Sequence, residues 1–156
     1  MITVKQSSIH NKGVFASKDI KKDQKIIQYV GKKVPKAEAD VIGEETLIAS
    51  NNHKDGGGVY LFELDDNYDI DGNVPNNPAR FINHSCSPNC ETLNEDGKIW
   101  IIAIKDIKEN EELFYNYGYE LETEDLEDHP CYCKSKNCVG YILAEEHWNK
   151  IPAKAL

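Results

Sequence analysis

The segment Arg80-Phe81-Ile82-Asn83-His84-Ser85-Cys86-Ser87-Pro88-Asn89-Cys90 decides how the rest of the chain is read. It crowds amide, imidazole, hydroxyl and thiol groups together with few apolar neighbours, so it is neither a core strand nor a simple turn. Such a run can hold a metal, a nucleophile or a cofactor, whereas any one of these residues alone is more often structural. A nucleophile built from His84 with Cys86 or Cys90 is the weaker reading, because no oxyanion donor or third orienting group accompanies it.

Outward from this segment, short runs rich in β-branched and aromatic residues occur at Ile2–Lys5, Lys25–Val30, Val59–Leu64, Ile99–Ile104 and Leu113–Tyr117. Gly, Asn, Asp and Pro clusters separate them, which predicts a mostly β chain with minor α content. Helical signals are confined to Lys36–Asp40 after Pro35, continued by Glu44–Ala49, and to Ala144–Asn149. Asn51–Gly58, reading NNHKDGGG, has the composition of a surface loop, either a plain connection or a cover for a ligand. The 156 residues suffice for one catalytic unit with a small appendage. No stretch approaches the roughly 20 apolar residues of a membrane span. Met1–Lys5 has no apolar leader character. An intracellular protein without membrane association is expected.

Charge narrows the partners. With 18 basic and 27 acidic residues the net charge is −9, which opposes nucleic-acid binding, where a basic patch supplies most of the affinity. A basic partner is easier to attract, although the same charge also serves solubility alone. The five cysteines are an odd number, and Cys131, Cys133 and Cys138 fall within eight residues. Clustered thiols without an export signal read as metal ligands or redox groups rather than crosslinks, and the third spaced cysteine with the Pro130 turn fits metal better than a redox pair. A closed zinc site needs four ligands, so a fourth must come from elsewhere in the chain. Six carboxylates between Glu120 and Asp128 mark a boundary before this cysteine segment.

The Arg80–Cys90 segment resembles the signature of SET-domain protein-lysine methyltransferases, Arg-Phe-x-Asn-His-x-Cys-x-Pro-Asn. Further matches follow in that family's order: His10-Asn11-Lys12-Gly13-Val14-Phe15-Ala16, Tyr29-Val30-Gly31, Tyr60-Leu61-Phe62, and Glu111-Glu112-Leu113-Phe114-Tyr115-Asn116-Tyr117-Gly118. The final Cys131-x-Cys133-x4-Cys138 resembles the post-SET module. Two positions depart from the pattern. Asn11 stands where the family usually has the first glycine of a turn, and Lys32 stands where an acid usually follows Tyr-x-Gly. Asn tolerates a positive φ better than other non-glycine residues, so the turn is expected to form.

The resemblance implies a β-clip-like SET fold with a knot-like crossing of the Asn83–His84 and Leu113–Tyr117 segments. It divides the chain into a SET domain over 1–119, an acidic linker over 120–130, and a post-SET zinc module with a tail over 131–156. It implies methyl transfer from S-adenosyl-L-methionine to a lysine side chain of a protein, mainly monomethylation. The substrate would be a histone or another protein with a basic segment. Cofactor binding would fall to His10, Asn11, Lys12, Gly13, Tyr60, Asn83 and His84. Tyr29, Phe62, Tyr115 and Tyr117 would line the lysine channel, with Tyr117, Tyr115 and Tyr29 as its catalytic members. One structural zinc would be held by Cys131, Cys133 and Cys138 with Cys86, Cys90 being the alternative fourth ligand. A non-catalytic SET-like peptide-binding module with structural zinc, or a plain zinc-stabilised interaction domain, is the rival class.

Overall fold

Lys12–Ala16 (β2) pairs antiparallel with Ile2–Gln6 (β1), Val4 opposite Val14. The turn between them is closed by the Ser7 N–H donating to the Asn11 carbonyl at 3.1 Å. The computed structural model describes residues 1–51, 60–120 and 129–151, the side chains of 46–51 excepted. Most of the NNHKDGGG stretch, Val59, the 121–128 part of the acidic run and the 152–156 tail therefore lie outside the described residues.

Among the described residues there are ten strands, one α-helix and short 3-10 turns. The chain divides into two compact units, one of Met1–Ile26, Phe81–Thr92 and Ile102–Leu156, the other of Ile27–Arg80 and Leu93–Ile101.

In the first unit the β1–β2 pair gains a further neighbour. Leu113 N–H donates to the Val14 carbonyl at 2.7 Å, Ala16 N–H to the Glu111 carbonyl at 2.9 Å, and Phe15 faces Glu112 in an antiparallel bridge. From the residue after Leu113 the same run changes partner. Asn83–His84 (β7) pairs in parallel with Phe114–Tyr115 (β10), Asn83 opposite Phe114 and His84 opposite Tyr115. Val14, Ile20, Ile82, Ile107, Leu113 and Leu143 form the buried core here, each at 1% exposure or less. Fully burying a side chain of this size contributes about 1.5–3 kcal/mol.

In the second unit Lys32–Pro35 (β4), Leu61–Glu63 (β5) and Tyr68–Asp71 (β6) form an antiparallel sheet of order β4-β6-β5. The helix Lys36–Asn51 (α1) follows β4 directly, with Pro35 preceding its first residue. The two helical stretches expected here are thus one helix. Lys32, the departure from the acid of the family pattern, pairs with Glu38 of α1 at 3.5 Å across an exposed surface. Val34, Ile70, Ile99 and Ile101 are buried in this unit. Lys25–Tyr29 (β3), Cys90–Glu95 (β8) and Lys98–Ala103 (β9) form a sheet of order β3-β9-β8. Asp96 and Gly97, both at positive φ, make the two-residue turn between β8 and β9.

The fold class read from the sequence, mostly β with minor α, stands. Several details differ. The run Leu113–Tyr117 is a strand only at Phe114–Tyr115, because Tyr117 N–H is taken by a side chain, His84 Nδ1, at 3.1 Å. The last helical signal becomes a 3-10 helix over Glu145–Lys150. Strands β4, β6 and β8 lie in polar stretches without a hydrophobic run, so pairing and not composition makes them strands. Among the described residues no helix is long and apolar enough to cross a membrane.

Candidate functional site

Four thiols converge. The Sγ atoms of Cys86, Cys131, Cys133 and Cys138 lie within 4.8 Å of one another. Cys90, the alternative ligand, is not among them. Its burial pushes its thiol up to about 12, as expected of a packed core group. The cysteine loop is shaped by a Pro130–Tyr141 bridge, by Cys131 N–H donating to the Gly140 carbonyl at 2.9 Å, and by positive φ at Lys134 and Gly140. Asn137 Nδ2 donates to the Cys86 carbonyl at 3.1 Å, and Val139, Ile142 and Trp148 pack against the cluster. Cys86 and Cys131 sulfurs are 3.8 Å apart. This contact favours a thiolate on Cys86 stabilised by the Cys131 thiol, with His84 assisting, so Cys86 falls well below the ordinary thiol range and Cys131 rises above it. Four soft donors in one closed cluster match the chemistry of a structural zinc, and no described His or carboxylate joins them.

Two residues before Cys86 stands His84, buried at 5% exposure. Its Nδ1 accepts from Tyr117 N–H at 3.1 Å, which leaves the proton on Nε2, 3.8 Å from Cys86 Sγ. One imidazole thus bridges the thiol cluster and the backbone of Tyr117. The Tyr117 hydroxyl donates to the Ile82 carbonyl at 2.6 Å. Its ring stacks obliquely on Tyr115 at 4.9 Å between centroids and meets His84 edge-on at 5.4 Å. Tyr115 is itself buried.

The first turn meets the same segment through Asn83, whose Nδ2 donates to the Lys12 carbonyl at 2.9 Å and to Glu112 Oε1 at 3.0 Å. His10, Asn11 and Lys12 are exposed and Gly13 is buried. The turn forms without Asn11 entering positive φ, so the glycine-like freedom expected of it is not used. Gly13 is required for space: a Cβ there would lie 2.2 Å from Glu112 Oε1. Asn89 holds the neighbouring strand by mimicking backbone, donating through Nδ2 to the Glu112 carbonyl and accepting Phe114 N–H through Oδ1, each at 2.8 Å.

Tyr29, Tyr60 and Phe62 belong to the second unit. The Tyr29 hydroxyl donates to the Tyr60 carbonyl at 2.7 Å and its ring lies 5.3 Å from that of Phe62. The Tyr60 carbonyl also accepts Gly72 N–H at 2.8 Å. The Arg80 guanidinium stands 6.0 Å over the Tyr60 ring and also donates to the Val74 carbonyl. Asn77, fully buried, links this loop by donating to the Gly72 carbonyl at 3.0 Å and accepting Val30 N–H at 3.3 Å. Sequence reading attached no role to Gly72, Asn77 or Glu112. Glu112 stands inside a quoted motif and Gly72 and Asn77 outside any, but neither placement reveals a contact distant in sequence.

Comparisons with known proteins give the family. A family model described as SET domain matches residues 11–118. The chain is 41% identical over 142 residues to a histone-lysine N-methyltransferase, H3 lysine-4 specific, of Aspergillus oryzae, covering 88% of this chain and 11% of that protein. Proteins of the same description from Neurospora crassa and Candida albicans are 41% and 40% identical, over 88% and 90% of this chain and 10% and 14% of their own lengths. The chain thus spans about a tenth of the curated relatives it matches. The matched span runs from the first turn to the residue after Tyr117, through every segment that meets at Asn83 and His84, and on this ground the chain belongs to the SET domain family.

Proposed function

We propose that this chain transfers a methyl group from S-adenosyl-L-methionine to the side-chain amine of a lysine in a protein substrate. The observation that carries the reading is the double fixation of Tyr117, its hydroxyl on the Ile82 carbonyl at 2.6 Å and its backbone on His84 at 3.1 Å. It sits within a family span whose relatives are named histone-lysine N-methyltransferases. The cosubstrate supplies an activated methyl on a sulfonium. The protein's task is then to bind, align and deprotonate. The Tyr117 hydroxyl donates its proton to the Ile82 carbonyl, and a phenol oxygen carries acceptor lone pairs for a lysine amine, so Tyr117 orients the nucleophile and is not its base. An amine with a pKa of about 10.4 is neutral only about once in two to three thousand at pH 7, and an aromatic channel lowers that value by desolvation. Alignment in the channel then accounts for much of the rate.

In this reading His10, Asn11, Lys12, Gly13, Asn83, His84 and Tyr60 bind the cosubstrate, and Tyr29, Phe62, Tyr115 and Tyr117 line the channel. One structural zinc on Cys86, Cys131, Cys133 and Cys138 anchors a post-SET module over 131–156 to the SET domain over 1–119, with 120–130 as linker. Product would be mainly monomethyl-lysine, and the place of action intracellular. The net charge of −9 suits a basic substrate, and the named specificity of the relatives makes a histone H3 tail peptide the first to try. Zinc-replete protein should bind S-adenosyl-L-methionine in calorimetry and add methyl groups to lysine of that peptide by mass spectrometry. No binding of the cosubstrate would replace the proposal by the non-catalytic module.

A further inference from the structure

Glu112 sits at a junction that none of its sequence neighbours suggests. Its Oε1 lies 2.8 Å from Ser7 Oγ and 3.0 Å from Asn83 Nδ2, and its Oε2 lies 3.1 Å from the same hydroxyl. Residues 7, 83 and 112 come from three separate chain segments. The side chain also fills the space over Gly13, where any Cβ would collide with it at 2.2 Å. The strand pairing explains this reach, since Glu112 faces Phe15 across the bridge next to Leu113 and Val14.

We propose that Glu112 is a positioning residue that fixes the orientation of the Asn83 amide for the cosubstrate, an inference that rests on the methyl-transfer reading above. The Lys12 carbonyl and the Glu112 carboxylate are both acceptors, so both amide hydrogens of Asn83 are committed to the protein. The amide therefore cannot flip, and only Oδ1 remains to meet a ligand. Asn83 then selects an N–H donor, such as the ammonium of an amino-acid moiety, and offers nothing to its carboxylate. Without Glu112 one amide hydrogen loses its partner, the flipped state becomes accessible, and the turn over Gly13 loses the side chain packed on it. The requirement is for an acceptor at that reach. Charge by itself is secondary: Gln can accept from Asn83 through Oε1 while its amide donates to Ser7, whereas Asp is one carbon too short.

The test compares wild type, Glu112→Gln, Glu112→Asp and Glu112→Ala, each checked for zinc content and thermal stability. The readouts are the S-adenosyl-L-methionine dissociation constant by calorimetry and kcat and KM on an H3 peptide. Glu112→Asp and Glu112→Ala should raise Kd and KM for the cosubstrate by about tenfold or more, the usual effect of losing a hydrogen bond to a charged group. kcat at saturating cosubstrate should stay within about threefold, because Tyr117 and the channel are not touched. Glu112→Gln should recover affinity to within about threefold of wild type. With Asn83→Ala in the background, Glu112→Asp should add less than about twofold. If Glu112→Ala is unstable, the Gln and Asp pair decides alone. Unchanged affinity in Glu112→Asp, affinity kept by Asp and lost by Gln, or independent multiplication with Asn83→Ala would each overturn the assignment. Wild type that binds no cosubstrate would instead refute the methyl-transfer reading and leave that failure distinguishable from this one.

Discussion

Adding one carbon at Gly72 tests how the aromatic part of the second unit is built. A Cβ on Gly72 would lie 2.4 Å from Cε1 and from the hydroxyl oxygen of Tyr29 and 2.5 Å from Cζ. Ordinary contact begins at 3.4 Å, so the ring must retreat by about 1 Å. Tyr29 is 3% exposed, which leaves it little room. Its hydrogen bond to the Tyr60 carbonyl, 2.7 Å long, would stretch past useful length. Overpacking of a filled core costs about 1–3 kcal/mol and the lost buried hydrogen bond about 1 kcal/mol more. Gly72 is not at a positive φ, so backbone strain adds nothing. Gly72→Ala should therefore destabilise by about 2–4 kcal/mol, measured by urea unfolding at fixed zinc concentration, a loss of about 5–15 °C in Tm for a domain of this size. Combined with Tyr29→Ala, which vacates the space, the same substitution should cost less than about 0.5 kcal/mol. A Gly72→Ala protein within about 0.5 kcal/mol of wild type would refute the packing argument.

Tyr117→Phe removes the hydroxyl from Ile82 and should cut turnover about a hundredfold or more while cosubstrate affinity stays within a few-fold; near-normal turnover excludes Tyr117 from the chemistry. Metal analysis should find one zinc per chain, and chelation or Cys133→Ser should red-shift the fluorescence of Trp148, which packs on the thiol cluster; protein purified under reducing conditions without zinc defeats this. Tyr115→Phe should move product from monomethyl toward di- and trimethyl-lysine, because a water bound by the Tyr115 hydroxyl would fill the space a methylated amine needs and its displacement would forfeit its hydrogen bonds; an identical product distribution by mass spectrometry contradicts it. Cys90, raised from 9.0 to about 12 by burial, should resist alkylation in native protein. A raised folded value means that the neutral thiol's contribution is fully present below pH 9 and is lost between pH 9 and about 12, so Cys90→Ala should flatten the alkaline fall in stability over that window, and an unchanged pH profile rejects the assignment.

Local chemistry was readable where residues close in sequence share one task. The motif from Arg80 to Cys90, the three thiols of 131–138 and the Leu113–Tyr117 run carry their residue types in fixed order, and family, fold class and three of the four clustered thiols follow from that order alone. Cys86 over Cys90 was a different matter. Both are buried thiols four residues apart, and only the path of the chain brings one to the cluster and leaves the other in the core. Strands β4, β6 and β8 were likewise silent, since polar strands are defined by the partner that satisfies their backbone groups. Glu112 is the clearest case. In the sequence it is one acid beside another, Glu111, and nothing in composition or spacing separates the two. Strand pairing leaves Glu111 exposed and carries Glu112 across Gly13 to Ser7 and Asn83. A periodicity can say that side chains alternate, but which neighbour each one meets is set by contacts between segments some 30 to 105 residues apart, and those exist only in the folded chain.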